Sequence, residues 1–120
     1  MALHNDLGKK GELLAADFLI RKGYEILDEN WVFGKAEVDL IVYLDHVIIF
    51  VEVKSRSSTN FGFPEDFVDS SKQQLMVDAA DAYIDLMNHT GEIRFDIIAV
   101  LFDKQQNYTL NHIEDAFWPV

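Results

Sequence analysis

A chain of 120 residues with 49% apolar residues is long enough for one domain with a hydrophobic core, but not comfortably for two. It contains no cysteine, which excludes disulfides and thiolate zinc sites and suits a reducing compartment. The longest apolar run, residues 47–51, cannot cross a bilayer, and the first twelve residues have no apolar segment of signal-peptide length. We therefore expect one cytoplasmic domain over residues 1–120, with no membrane partner.

The net charge of −11 argues against a nucleic-acid partner, because proteins that bind phosphate backbones are usually basic. The acidic residues are unevenly distributed. Residues 1–60 contain seven Lys and Arg against ten acids, whereas residues 61–120 contain three against eleven. Most of the excess acid therefore lies in the second half of the chain.

Residues 8–22 are predicted to form a helix, because their apolar side chains cover a wide arc of the helical wheel and charged side chains share the opposite face. Gly23 is a typical helix stop. Strands are predicted at residues 24–32, with a bulge or bend at 28–30, and at residues 37–43 and 47–54, with a turn at 44–46. The third strand is almost entirely apolar, which favours a central place in the sheet.

The second half of the chain is predicted to place a helix between two further strands. A polar loop at residues 55–63 is followed by a helical turn at 65–68, a long helix from a cap at Ser70 or Ser71 to residue 87 or 88, and strands at 93–102 and 108–113. A long helix that joins two apolar strands implies a right-handed crossover and a parallel strand pair. The predicted fold class is α/β, with a mixed sheet of about five strands and helices on its faces.

Two predicted strands, joined by a short turn and therefore neighbours, end in paired charges. Side chains alternate along each strand, so Glu37, Asp39 and Ile41 are predicted to share one face of the second strand. Glu52 and Lys54 are predicted to share one face of the third strand. Such charges are unfavourable at the end of a buried strand, and an Mg²⁺ ion would compensate them, with Asp39, Glu52 and the Val53 carbonyl as ligands. Lys54 would then act on the phosphate or on the attacking water. Spacing alone equally allows an ordinary ion pair at the end of the sheet.

Glu12 lies in the middle of the apolar arc of the first helix, where its neighbours at helical spacing are Ala15, Ala16 and Leu19. A carboxylate in that position faces the sheet, and a buried glutamate is rare without a partner. The alternative is a first-turn glutamate favoured by the helix dipole, which explains the acid but not its placement. We therefore predict that Glu12 belongs to the same metal site.

Lys72 lies along the apolar face of the long helix, where it or Gln73 is predicted to reach a DNA phosphate or the metal site. The alternative is a lysine whose stem covers apolar surface while its ammonium group reaches water. Three acids of this helix fall on the opposite stripe: Asp78, Asp81 and Asp85. Much of the negative charge of the second half is therefore predicted to face away from the sheet.

The charged residues lie in three recognisable segments: Gly8-x-x-Gly-Glu12, Ala36-Glu-Val-Asp39-Leu-Ile and Phe50-Val-Glu-Val-Lys54-Ser-Arg56. With Phe61-Gly62, Lys72-Gln73, Arg94-Phe95-Asp96 and Ala116-Phe117, they closely resemble the UPF0102 (YraN-like) family over nearly the whole chain. Within this resemblance, Asp39 and Glu52-x-Lys54 look like the PD-(D/E)xK signature of the restriction-endonuclease-like superfamily. The helical Glu12 is similar to a glutamate of archaeal Holliday-junction resolvases.

The resemblance implies a three-layer α/β/α restriction-endonuclease-like domain, dependence on Mg²⁺ or Mn²⁺, and a nucleic-acid substrate, with DNA favoured. It implies an endonuclease or resolvase for branched or damaged DNA, with Glu12, Asp39, Glu52 and Lys54 as the catalytic set and Glu37 in support. The residues expected to contact nucleic acid are Lys9, Lys10, Lys35, Arg56, Lys72 and Gln73. Two alternatives remain: a nucleic-acid-binding or assembly module of the same fold without turnover, and a homodimer whose aromatic segment 117–119 packs on its partner.

Overall fold

A mixed five-stranded sheet with a helix on each face organises the chain. The computed structural model describes the backbone of residues 3–57, 62–105 and 107–118, and the side chains of these residues except 3–6, 64 and 67. The elements are helix α1 (Leu3–Arg21), strands β1 (Glu25–Phe33), β2 (Ala36–Leu44) and β3 (Val47–Arg56), a short 3₁₀ helix (Pro64–Phe67), helix α2 (Ser70–Leu86), and strands β4 (Ile93–Phe102) and β5 (Tyr108–Ile113). The strand order is β1-β2-β3-β4-β5, with β3 and β4 parallel and the other neighbours antiparallel. The predicted α/β class with a mixed sheet is confirmed.

Each face of the sheet is buried by a different helix. On one face, Ala15 and Leu19 of α1 share a core with Val51 of β3. On the other face, Tyr83 of α2 packs edge-on against Phe50, with ring centroids 5.9 Å apart. This two-sided burial explains the continuous apolar sequence of β3 and confirms its predicted central position. Among the described residues, neither helix is long and apolar enough to traverse a bilayer.

The predicted boundaries are close at the strands and less accurate at the helix starts. Both strands after α2 begin and end at the predicted residues. Helix α1 begins at Leu3 instead of residue 8, and it continues through Gly8 and Gly11. The cap of α2 is Asp69, whose side chain accepts a hydrogen bond of 3.0 Å from the Lys72 N–H, so the prediction of Ser70 or Ser71 is wrong by one or two residues. Part of the predicted loop at 55–63, residues 58–61, lies outside the described residues.

The hairpin of β2 and β3 is tight at its turn and open at its far end. Asp45 and His46 close the turn with φ angles of 51° and 69°, as a two-residue hairpin turn requires. The ladder runs from the turn only as far as the pairing of Leu40 with Val51, although both strands continue. The strands therefore separate beyond this pair, at the level of Asp39.

The alternation of side chains along β2 breaks at the same point. Val38 lies in the core on the α2 side, whereas Leu40 lies in the core on the α1 side and Ile41 again on the α2 side. Glu37, the neighbour of Val38, therefore lies on the opposite face from Ile41. The prediction that Glu37, Asp39 and Ile41 share one face is wrong, because it assumed a ladder that continues through residue 39.

Gly11 allows α1 to approach the end of β3. A Cβ atom at this position would overlap the Ser55 hydroxyl group and lie 3.1 Å from the Ser55 Cβ. A Cβ atom at Gly8, one turn earlier, would meet no heavy atom within 4 Å. Helix α1 is therefore held close to the sheet at Gly11, one residue before Glu12.

We expect Gly11→Ala to destabilise the fold by about 1–3 kcal/mol, the usual penalty of overpacking, despite the higher helix propensity of alanine. Gly8→Ala is the matched control and should stabilise the fold by up to about 1 kcal/mol, because its methyl group meets no neighbour. Urea unfolding followed by circular dichroism measures both changes. The double variant Gly11→Ala/Ser55→Ala should recover most of the loss, and a failure to recover would contradict the close approach.

Candidate functional site

Asp39 fills the gap that opens between β2 and β3. Its Oδ2 accepts a hydrogen bond of 2.8 Å from the backbone N–H of Val53, in place of a backbone carbonyl of β2. The carboxyl group of Asp39 also lies within hydrogen-bonding reach of the Glu52 carboxyl group. Glu52 is only 3% exposed. Two acidic side chains therefore meet in a largely buried position.

The two carboxyl groups are unfavourable when both are ionised. Burial, and after it the negative charge of Glu52, raises the pKa of Asp39 to about 7, while the Val53 hydrogen bond and the charge of Lys72 oppose this rise only in part. Asp39 therefore keeps its proton to a higher pH than an ordinary aspartate. A cation of higher charge would replace that proton.

Two lysines approach Glu52 from different elements. Lys54 Nζ lies 3.6 Å from Glu52 Oε2, and Lys72 Nζ, from the first turn of α2, lies 3.5 Å from Glu52 Oε1. Lys72 also donates a hydrogen bond of 3.0 Å to the backbone carbonyl of Glu37. Glu52 Oε1 is buried and has no hydrogen-bond partner among the described residues, because the Lys72 ammonium group stands at ion-pair distance only. Glu52 therefore retains an oxygen that a further cation can bind.

Glu12 lies on the α1 side of Asp39. Burial, and after it the charge of Asp39, raises the pKa of Glu12, while a hydrogen bond with the Asn30 side chain opposes the rise. Asn30 lies in β1 opposite Asp39 in the strand register and has a φ of 52°. The sequence prediction missed Asn30, whose only signal was an asparagine within a strand, a residue type that tolerates positive φ. The register shift of the β1 ladder falls between Ile26 and Asp28, at the start of the predicted bulge or bend at 28–30, and the positive φ of Asn30 lies within that range.

The donor groups suit a hard divalent cation. Mg²⁺ commonly binds through one or two carboxylates and keeps several waters, so the Asp39–Glu52 pair, with one oxygen that accepts no hydrogen bond from the described residues, satisfies the chemistry. No three acidic or histidine side chains of the described residues converge closely enough to enclose an ion in this conformation. The structure thus brings together Asp39, Glu52 and Lys54, with Glu12 adjacent and bonded to Asn30.

The first turn of α2 brings Lys72 to the site but not Gln73. Gln73 Nε2 donates a hydrogen bond of 3.1 Å to the Val68 carbonyl and so braces the segment before the helix. Glu37, predicted in support, contributes its backbone carbonyl to Lys72, and its side chain is exposed. The alternative of a lysine that only covers apolar surface is therefore incomplete, since the Lys72 ammonium group has acidic and carbonyl partners.

A groove of about 490 Å³ lies beside the site, between the start of α1 and the end of β3. Its lining residues are Leu7, Gly8, Val53, Lys54, Ser55, Arg56 and Ser57. Of the residues predicted to contact nucleic acid, Arg56 lines this groove and Lys9 and Lys10 are exposed on the same part of α1. Lys35 is exposed at the tip of the β1–β2 hairpin.

A second buried acid, Asp96, lies elsewhere in the sheet and is fully paired. Arg94 donates to its two carboxylate oxygens at 2.8 and 2.9 Å, His112 Nε2 lies 2.7 Å from Oδ2, and the Asp115 N–H donates at 3.0 Å. Burial alone would raise the pKa of Asp96, but the hydrogen bonds from His112 and Arg94 outweigh it and lower the pKa below its ordinary value. We assign this cluster to the fold, because it ties β4 to β5 and to the segment that follows.

The aromatic end of the chain packs largely on its own core. Phe117 is buried and stacks on Phe95, with ring centroids 5.2 Å apart. Trp118 is exposed and meets the same ring edge-on, and residue 119 lies outside the described residues. Phe117 is therefore covered by its own chain, and the homodimer alternative stays a prediction that would rest on Trp118.

The sequence matches relatives over nearly its whole length. The family model described as "Uncharacterised protein family UPF0102" matches residues 11–100. The chain belongs to the UPF0102 family. A UPF0102 protein of Flavobacterium psychrophilum is 50% identical over 118 residues, which cover 98% of each chain. UPF0102 proteins of Flavobacterium johnsoniae and Phocaeicola vulgatus are each 43% identical, over 122 and 119 residues that again cover at least 98% of both chains.

We expect Asp39→Asn to stabilise this UPF0102 protein at pH 8 in EDTA by on the order of 2 kcal/mol. The pKa of Asp39 in the folded chain, about 7, is above its ordinary value of 3.8, so wild-type stability is lost as the pH rises between these values. The asparagine keeps an oxygen for the Val53 N–H but carries no charge. Chemical unfolding over a pH series measures the free energy of unfolding of both proteins. The excess stability of Asp39→Asn over the wild type should therefore be largest at pH 8 and vanish near pH 4.

Asp96→Asn is the matched control, since Asp96 is also buried but its pKa is lowered. The substitution removes the carboxylate charge of Asp96 and leaves the Arg94 and His112 side chains without a charged acceptor. It should therefore destabilise the UPF0102 protein by about 3 kcal/mol at neutral pH. The contribution of Asp96 is present above its ordinary pKa and is lost as the pH falls through the lowered value. If both substitutions changed the free energy of unfolding in the same direction, this result would contradict the opposite environments of Asp39 and Asp96.

Proposed function

We propose that this UPF0102 protein is a metal-dependent endonuclease that hydrolyses phosphodiester bonds in DNA, with Asp39 and Glu52 as ligands of Mg²⁺ or Mn²⁺. The buried Asp39–Glu52 pair carries this proposal, because Glu52 Oε1 has no hydrogen-bond partner among the described residues and the pair repels itself when ionised. A divalent cation removes both penalties. The resemblance of Asp39 and Glu52-x-Lys54 to the PD-(D/E)xK signature supports the same reaction.

Each residue of the site has a distinct task in this reaction. Asp39 and Glu52 hold the cation where the strands part, and Glu12 offers a further carboxylate beside Asp39. The bound ion supplies Lewis-acid stabilisation of the phosphoryl group and activation of the attacking water. Lys54 lies on the same strand face as Glu52 and is among the residues that line the groove, so its ammonium group would place a positive charge beside the scissile phosphate.

The groove offers the DNA backbone a route to the site. Lys54 and Arg56 line it, and Gly8 lets a strand approach α1 closely because it has no side chain. The predicted acidic stripe of α2 is exposed on the other side of the sheet from α1 and consists of Asp78, Asp81 and Asp85. The potential at the groove is therefore less negative than the net charge of −11 suggests.

A nucleic-acid-binding or assembly module without turnover is the second candidate. It is favoured by Lys72, whose ammonium group already partly neutralises Glu52 without a metal ion. Such a module would bind nucleic acid in a salt-dependent manner and leave it intact. The two candidates share the fold and differ in whether the bound strand is cut.

We expect the protein to cleave at least one of a panel of labelled four-way junctions, flaps and single strands in Mg²⁺ or Mn²⁺, and none in EDTA. Asp39→Asn and Glu52→Gln should each slow cleavage by about 100-fold, equivalent to about 2.7 kcal/mol, because each removes a metal ligand. Asp81→Asn, on the exposed stripe of α2, is the matched control and should cleave at the wild-type rate. Cleavage that survives in both site variants would contradict the assignment, and salt-dependent binding without cleavage would favour the second candidate.

We also expect Mg²⁺ or Mn²⁺ to raise the Tm of the wild-type protein, because a ligand that binds only the folded chain stabilises it by about 2.7 kcal/mol at 100 times its Kd. Glu52→Gln should lose most of this rise, and Asp81→Asn should retain it. Scanning calorimetry with and without the ion measures the change. An equal rise in Glu52→Gln would show that the ion binds elsewhere.

A further inference from the structure

Lys72 places a positively charged nitrogen among oxygens that suit a metal ion. Its Nζ lies 3.0 Å from the Glu37 carbonyl oxygen and 3.5 Å from Glu52 Oε1, and its charge also acts on the Asp39 carboxyl group. These oxygens belong to β2 and β3 where the strands part, whereas Lys72 comes from α2. A carbonyl oxygen and two carboxyl groups are ligands that a hard cation prefers. The ammonium group therefore stands on the side of Glu52 where a divalent ion would bind.

The contact between Lys72 and Glu52 is loose. The bond to the Glu37 carbonyl has an ordinary length, but Glu52 Oε1 remains a buried oxygen without a hydrogen-bond partner among the described residues. The backbone of Lys72 is held by the cap of α2, where its N–H donates to Asp69 at 3.0 Å. Its side chain is 26% exposed, so the ammonium group can move toward solvent while the helix stays in place.

The balance of charge determines what a divalent ion does to this arrangement. Asp39 and Glu52 face Lys54 and Lys72, whose ammonium groups already offset part of the negative charge of the acids. A divalent ion on the same oxygens would lie within a few ångströms of these ammonium groups, where like charges repel strongly. Lys54 lies on the same strand as Glu52, two residues away, and stays close to it. Lys72 is the cation that can leave, because it comes from another element and its hydrogen bond of ordinary length goes to the Glu37 backbone carbonyl and not to Glu52.

We propose that Lys72 is the resident counter-ion of the metal-free site, and that binding of a divalent ion displaces its ammonium group from Glu52. This inference rests on the proposed metal site and deepens it. In the metal-free protein Lys72 stabilises the buried acids, and by the same contact it weakens metal binding. The displaced ammonium group, still held by α2 at the rim, can contact a phosphate of the nucleic acid, so metal loading and backbone binding are coupled.

Lys72→Met tests this inference, because methionine keeps much of the length and the apolar stem but removes the charge. We expect Lys72→Met to bind Mn²⁺ about tenfold more tightly than the wild type in calorimetric titration, checked by the electron paramagnetic resonance signal of unbound Mn²⁺. Its Tm should be lower than that of the wild type in EDTA and equal to it at saturating Mn²⁺. Lys72→Arg keeps the charge, and Lys104→Met removes an exposed lysine in the β4–β5 turn, so both should bind Mn²⁺ like the wild type.

The possible outcomes separate this inference from the proposed function. If Lys72→Met bound Mn²⁺ no more tightly than the wild type, the inference would be overturned. If wild-type binding was at the same time lost in Glu52→Gln, the metal site would remain in place. An absence of Mn²⁺ binding in the wild type and every variant would overturn both. If Lys72→Met is unfolded in EDTA, recovery of its circular dichroism spectrum on addition of Mn²⁺ supports displacement, and no recovery overturns it.

Discussion

The hydrogen bond from the Val53 N–H to the Asp39 side chain determines how the site is built. A carbonyl of β2 would accept this bond in a continuous ladder, but a carboxylate oxygen accepts it here, and the two strands separate. The alternation of β2 changes at the same residue, since Val38 and Leu40 lie in cores on opposite sides of the sheet. A carboxylate that replaces a ladder acceptor still has a second oxygen. One aspartate therefore opens the sheet and supplies an acid to the opening.

Burial then makes charge balance the main constraint at this opening. Asp39 and Asp96 are aspartates of the same sheet, yet the pKa of the first is raised and that of the second is lowered. Burial disfavours the charge of both, but Asp96 receives hydrogen bonds from Arg94 and His112, whereas Asp39 faces a second acid. The fully paired acid stabilises the fold. Asp39 lacks sufficient hydrogen-bond donors and lies beside a Glu52 oxygen that accepts no hydrogen bond from the described residues, so Asp39 is the acid suited to a ligand.

Helix α1 connects the packing of the domain to the same site. Gly11 brings the helix against Ser55 at the end of β3. This approach places Glu12 beside Asp39, on the face of the sheet that α1 covers. The start of the same helix forms one wall of the groove that Lys54 and Arg56 line. A change in the contact of α1 with β3 would therefore alter the position of Glu12 and the width of the groove together. Stability and the proposed function share this contact.

The sequence by itself determined the elements and most of the acids. The apolar run of β3 required burial on both faces, the long helix between apolar strands required a parallel crossover, and Glu12 and Glu52 stood out as charges among apolar neighbours. The tertiary structure alone showed that Asn30 reaches Glu12 from β1, and it selected Lys72 over Gln73 as the residue of α2 that reaches Glu52. Periodicity describes one element at a time and assumes an unbroken ladder, so it could not show a strand that parts at Asp39. Contacts between elements distant in the chain depend on how the helices pack on the sheet, and that packing assembles the site.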